Sequence, residues 1–315
     1  MKHLVVGVDT SCYTTSMACV SEEGIVFEQR TVLSVPMGKR GLRQSDAVFE
    51  HVRNLPALVA ALYREVDGRD VASVAVSVSP TDQQDSYMPV FLAGKSVASA
   101  MAHALDVPLV ETTHQAGHVR AALMENDALK AQERFLTLHL SGGTTDLLSV
   151  SMRDGRVGII ERLGGSSDLH AGQFVDRVGV RLGLPFPSGP ALEKLARSAT
   201  ARDIRLPSSV QGLHCSLSGQ ETQATRLWEG GAVDAEIAYA VYDCLARTLG
   251  KLIENACLEF GSQPVLLVGG VSGSVLFREL LQKRTERALY FAQPGLSADN
   301  AVGVALLGLD EGVAT

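Results

Sequence analysis

The chain has few aromatics, 5% of its 315 residues, and a single tryptophan. Its five cysteines (Cys12, Cys19, Cys215, Cys244, Cys257) are odd in number and scattered. With no CxxC or zinc-finger spacing, they read as reduced thiols in a cytoplasmic protein rather than a disulfide frame. No apolar run nears the roughly 18 residues of a membrane span, and the one at the N-terminus is too short for a signal-peptide core. The net charge of −7 lacks the basic excess that holds nucleic acid by bulk charge, so a polyanion would need a local basic patch. There is no GxxxxGK[ST], which excludes a P-loop, and no GxGxxG at a first strand–helix turn, which disfavours a dinucleotide fold. With 46% hydrophobic residues and 20% charged, a disordered chain is also disfavoured.

Glycine, by contrast, is abundant, with 30 residues. HLVVGVD at 3–9 reads as a buried strand, followed by the turn TSCYTT, the apolar run SMACV, the turn EEG and the strand IVFEQR. FLTLHL at 135–140, SGGTTD, LLSVS, RDG and RVGIIERL repeat this layout, with Gly24 and Gly155, like Thr14 and Thr145, 131 residues apart. Two such triplets in register predict a duplicated domain. Helical spacing predicts helices over 45–66 (broken at Pro56), 94–106, 114–130, 232–260 and 274–284, with a last one starting near Asn300. Strands alternating with helices make the chain α/β. The expected halves are 1–130, to which about 294–315 returns, and 131–293. The Pro-, Ser- and Gly-rich stretch 185–225 reads as an excursion near a ligand cleft.

Three glycine pairs, Gly142–Gly143, Gly164–Gly165 and Gly269–Gly270, end strand-like runs, where a backbone can approach phosphate oxygens. Asp9-Thr10-Ser11 and Ser141-Gly142-Gly143-Thr144-Thr145 would be facing phosphate turns, with Gly269-Gly270-Val271-Ser272 bordering base or ribose. That layout is the actin-like ATPase (ASKHA) fold, two RNase H-like halves around a nucleotide cleft. TTHQAGHVRAAL sets His114 and His118 on one helix face, able to share a metal. Gln115 stands where a zincin motif requires its glutamate general base. Asp299 is a candidate third ligand, although an Asp ahead of a helix also serves as an N-cap.

VDTSCYTTS, THQAGH, LSGGTTDL, AGQFVDRVGVRLGLPFPSGPALEKLA, SLSGQET, LLVGGVSGS and SADNAVGVA follow one another in an order that resembles the TsaD/Gcp (glycoprotease) family. Its members make N6-threonylcarbamoyladenosine in tRNA. The resemblance spans nearly the whole chain and implies a divalent metal, iron or zinc, on His114, His118 and Asp299. It also implies an adenine nucleotide or acyl-adenylate in the cleft, and transfer of threonylcarbamoyl to adenine 37. Ser141, Gly142, Gly143 and Thr144 would then face phosphate or carbamoyl, and Asp176, Gly189 and Ser274 ribose or base. An actin-like paralogue and a small P-loop ATPase are the implied partners.

The departures are concentrated in the cleft. Tyr13 and Thr14 replace two acidic residues, Thr144 a histidine, Gln173 a glutamate, Glu221 a lysine and Ser274 an asparagine. Three readings follow: a transferase of the family type or one with an altered substrate, a non-catalytic nucleotide-binding scaffold, and a metallopeptidase, ranked last because no general base accompanies the histidines. Lys39, Arg40 and Arg43 form a candidate tRNA patch, in a loop whose charges solvent would equally satisfy.

Overall fold

The computed structural model describes residues 4–11, 13–36, 41–293 and 295–312. Strands β1 (Leu4–Asp9), β2 (Thr14–Ser21) and β3 (Gly24–Val32) run antiparallel. After them come α1 (Gln44–Glu65), β4 (Val71–Ser79), α2 (Phe91–Leu105) and β5 (Leu109–Thr113), with β4 parallel to β1 and to β5. The short helices α3 (His114–Ala122) and α4 (Asp127–Lys130) lead onward. The antiparallel strands β6 (Arg134–Leu140), β7 (Thr145–Arg153) and β8 (Arg156–Ser166) then repeat the opening triplet. Next are α5 (Ala171–Arg181), α6 (Gly189–Arg197), the hairpin β9 (Ser209–Gln211) and β10 (His214–Ser216), α7 (Ser218–Glu229) and α8 (Asp234–Phe260). Strand β11 (Val265–Val268), α9 (Val275–Gln282), β12 (Leu289–Phe291) and α10 (Val302–Gly312) complete the chain.

The sheets are ordered β3-β2-β1-β4-β5 and β12-β11-β6-β7-β8-β10-β9. Read from β8, the second runs β8-β7-β6-β11-β12, the topology of the first, with the β9–β10 hairpin added outside β8. Strand β1 is apolar from Leu4 to Val8 without alternation because both its faces are covered, and β6 is buried on both faces from Phe135 onward. Val6 and Val8 pack under α1 and α2, and Val5 under α10. Pro56 lies inside α1, which runs unbroken, contrary to expectation. Burial of Leu55, Leu58 and Leu62 on the first sheet offsets the hydrogen bond that proline removes. The 114–130 segment is not one helix: a 3-10 turn at Leu123–Glu125 separates α3 from α4. Stretch 185–225 is largely ordered as α6, the hairpin and most of α7.

Two helices change sides. α3 follows β5, yet Val119, Ala122 and Leu123 pack on Phe135, Val150, Leu266 and Val268 of the second sheet. α10 follows β12, yet Val302, Val304, Ala305 and Leu309 pack on Val5, Ala18, Val20 and Ala75 of the first. The two helices cross backbone to backbone: a Cβ on Gly303 would collide with the carbonyl oxygen of Gly117. Arg120 and Asp310 tie the same crossing through paired bonds of 2.6 and 3.0 Å. This exchange brings the start of α3 beside the loop before α10.

Candidate metal centre and nucleotide cleft

Thr113 caps α3 by accepting from Ala116 N at 3.2 Å, so the helix starts at His114, where β5 ends. One turn later His118 falls on the same face, and the two Nε2 atoms stand 3.1 Å apart. Asp299 Oδ1 lies 3.5 Å from His114 Nε2 and 3.3 Å from His118 Nε2. Helix capping does not use the Asp299 carboxylate: Asn300 Oδ1 takes the Val302 N–H at 3.0 Å. Behind His114, its Nδ1 donates to Asp9 Oδ2 at 2.8 Å, which fixes the ring and leaves Nε2 facing His118 and Asp299. Asp9 is fully buried and also accepts from Ser77 Oγ at 2.7 Å and from Ser11.

Charge in the cluster is set by opposing effects. Burial disfavours a charged His114, but Asp9 and Asp299 outweigh it and push the imidazole pKa up to about 10. Burial and the charge on His114 lower that of His118. Asp299 is held below the ordinary carboxylate range because the two histidines overcome its own burial.

The sequence reading missed His139. It projects from β6 into the cluster, and one ligand nitrogen from each of His114, His118 and His139 lies within 4.8 Å of the others. It is 1% exposed, its Nε2 has no hydrogen-bond partner among the described residues, and burial followed by the neighbouring histidines drives its pKa well down. Gln115 Nε2 stands 3.3 Å from His139 Nδ1 and 3.4 Å from Asp146 Oδ2, and Arg162 Nε holds Asp146 Oδ1 at 2.7 Å. One signal in the sequence pointed here. In FLTLHL the period of two puts Phe135, Thr137 and His139 on one face, and a histidine inside a buried strand needs a partner.

The glycine turns divide by role. In the β6–β7 turn Ser141 N donates to Thr144 O at 2.9 Å, while Gly143 N and Thr144 N both donate to Ser141 Oγ, at 3.2 and 3.1 Å. Those two N–H groups are therefore engaged inside the turn, and Gly142 and Gly143 are exposed. Gly164 and Gly165 are not a ligand turn: they lie within β8, where a side chain would strike Leu213 O and Thr145 O. Thr10 likewise anchors α2, its Oγ1 donating to Val90 O at 2.9 Å and accepting from Gly94 N at 3.1 Å.

Asp176, Gly189 and Ser274 gather around Tyr242. Its hydroxyl donates to Gly189 O at 2.9 Å, and burial, then Glu193, raises its pKa, with Ser274 and Asp176 among its neighbours. Ser274 itself caps α9, accepting from Phe277 N at 3.2 Å. Asp176 Oδ1 accepts from Ser188 N at 2.7 Å, and burial lifts its carboxyl to about 6. Gly269 passes close to β6 with φ of 88°, and Gly270 faces open space.

Across the mouth, the Tyr13 and Phe186 rings meet edge to face, with centroids 5.2 Å apart, so an aromatic contact joins the halves where the family resemblance implies acidic residues. Gln173 lies in the first turn of α5 and Glu221 in that of α7. Lys39 and Arg40 lie outside the described residues, while Arg43 precedes α1 and is exposed. No helix among the described residues is long and apolar enough to cross a membrane.

The family model for TsaD, tRNA N6-adenosine threonylcarbamoyltransferase, matches residues 32–306. Among solved structures, HypF from T. kodakarensis aligns at a TM-score of 0.63 with 17% identity, over 98% of this chain and 47% of its own. The chain thus spans about half the length of that protein. The 2-hydroxyisocaproyl-CoA dehydratase activator from Clostridium difficile with bound ADPNP aligns at 0.60 with 14% identity, covering 99% and 96% of the two chains. A ROK family glucokinase from Streptomyces griseus, in complex with glucose and AMPPNP, aligns at 0.54 with 16% identity, covering 96% and 98%. At such identities these likenesses show the fold, which is that of the actin-like ATPases.

Proposed function

Because the chain belongs to the tRNA N6-adenosine threonylcarbamoyltransferase family, we propose that it is a metal-dependent transferase. It would move a carbamoyl-type group, threonylcarbamoyl in the family's own case, from a nucleotide-activated donor to adenine N6 of tRNA. One observation carries this reading: His114 Nε2, His118 Nε2 and Asp299 Oδ1 stand 3.1, 3.3 and 3.5 Å from one another. Ligands about 2.0–2.1 Å from a shared tetrahedral ion are about 3.3–3.4 Å apart, so these residues fit a divalent cation such as zinc or iron. When bound, such an ion supplies Lewis acidity to a carbonyl oxygen.

The remaining work falls to the chain itself. Asp9 keeps His114 oriented, and Asp146 and Gln115 place His139 beside the pair. The Asp176 carboxylate has an oxygen left for a ribose hydroxyl and is ionised above pH of about 6. In the transfer, the bond from the acyl carbon to the adenylate phosphate oxygen breaks, a bond to the acceptor nitrogen forms, and that nitrogen loses a proton.

A second reading, a nucleotide-binding scaffold without transfer, draws support from Tyr13 and Thr14 at acidic positions and from the engaged N–H groups of Gly143 and Thr144. The deciding experiment measures metal content, then tests for N6-threonylcarbamoyladenosine in tRNA incubated with threonine, bicarbonate, ATP and an adenylate-forming synthase. The transferase reading requires close to one metal per chain, lost in His114→Ala/His118→Ala, together with modified adenosine. Metal-free wild-type protein would overturn it. Metal and nucleotide binding with no product would favour the scaffold.

A further inference from the structure

Arg177 and Arg181 lie four residues apart on α5, hence on one face, and neither has an ion-pair or hydrogen-bond partner among the described residues. Arg181 Nε is buried without a partner, and its guanidinium lies 5.9 Å from the ring centroid of Trp228 on α7. Trp228 is 39% exposed. Helix α5 begins against the Ser141–Thr144 turn, where Gly172 N donates to Ser141 O at 3.0 Å. At 1.5 Å per residue the two arginines stand about 8 and 14 Å further along it, and Arg177 directly follows the ribose-facing candidate Asp176. Several other arginines of this half are neutralised by carboxylates. Arg247 and Arg284 share Asp243, Arg287 holds Glu254, and Arg197 meets Glu193 and Glu279.

We propose that Arg177, Arg181 and Trp228 form an RNA-contact surface at the lip of the cleft. The arginines would sit on backbone phosphates and the open face of the indole under an unstacked base. Arginine beside an accessible aromatic is the pairing that single-stranded RNA uses, charge for the backbone and a flat face for the base. In a chain of net charge −7 such a surface must be local. Apart from the loop of Lys39, Arg40 and Arg43, the groove lined by Arg205, Arg247, Lys251 and Arg284 is a competing surface, but Glu254 lines it and Asp243 engages two of its arginines. The inference rests on the transferase reading only in taking RNA as the acceptor.

Trp228 is the sole tryptophan, so it reports on its own surface. The experiment titrates the full-length protein with a short RNA hairpin bearing an adenine-containing loop, following indole emission and fluorescence anisotropy of labelled RNA across a salt series. RNA should quench the indole. Arg177→Ala/Arg181→Ala should weaken binding at least tenfold and flatten the log K against log salt slope by about 1.4–1.8, the release expected for two phosphate contacts. Trp228→Ala should weaken binding about tenfold with the slope unchanged, read by anisotropy, and Arg205→Ala/Lys251→Ala should change neither. Four outcomes overturn the inference: no RNA binding by wild type, unchanged affinity and slope in the arginine pair, loss confined to the groove variant, or equal quenching by polyglutamate. RNA binding as described in a protein that forms no modified adenosine would sink the transfer reading and leave this surface standing.

Discussion

The sharpest test of the cleft is a stability measurement on Asp176→Asn. Burial raises the Asp176 carboxyl from 3.8 to about 6, so between those values the folded chain binds more protons than the unfolded one. Stability therefore falls as pH rises through that window and then levels off. Linkage puts the cost of ionising this carboxyl in the folded protein at about 1–2 kcal/mol at pH 5 and about 3 kcal/mol at pH 7.5. Asparagine keeps an oxygen for Ser188 N and carries no charge, so the variant should be more stable than wild type, and more so at the higher pH. Because the exchanged helices make the 315-residue chain one unfolding unit, the thermal midpoint should rise about 4–5 °C at pH 7.5 and about 2–3 °C at pH 5, read by differential scanning fluorimetry. Adenylate affinity, by isothermal titration, should fall about tenfold through loss of a hydrogen bond to a charged acceptor. A variant no more stable than wild type at pH 7.5, or a gap that fails to narrow at pH 5, would mean that burial does not hold the Asp176 carboxyl up.

Asp299→Ala should lower zinc affinity by at least a hundredfold in a chelator competition, with the fold intact by circular dichroism, since Asn300 rather than Asp299 caps α10. Gly303→Ala should cost about 3 kcal/mol or more in urea unfolding, because its methyl has no space against Gly117. An effect under 1 kcal/mol would mean that the crossing is looser than described. Arg120→Ala breaks a half-buried, two-bonded pair with Asp310 on that crossing and should cost about 1–3 kcal/mol, measured by the same unfolding.

The duplicated triplets were legible because strand–turn–strand periodicity is local, and the constant 131-residue offset needs no tertiary information. The histidine pair was legible for the same reason, one helical turn apart on one chain segment. Three features were not. Pro56 reads as a helix break from propensity, whereas the burial of α1 decides otherwise. His139 is separated from His118 by a 3-10 turn, a four-residue helix and most of β6, so only the assembled sheet brings them together. The glycines of LSGGTTD suggested free N–H groups, but the Ser141 hydroxyl, two bonds from its own backbone, reaches two of them first.

The crossing of α3 and α10 has a meaning for how such a chain can arise and assemble. Each sheet is roofed by the helix that the other half contributes, so neither half carries a complete core of its own. It is the geometry of a domain-swapped dimer written into one polypeptide. A single ancestral unit with this layout would have had to trade helices with a second copy of itself, and fusing the two genes would have made that trade permanent. Residues 4–130 and 131–312 made as separate chains should accordingly be poorly folded alone and recover when mixed, with Gly117 against Gly303 as their seam.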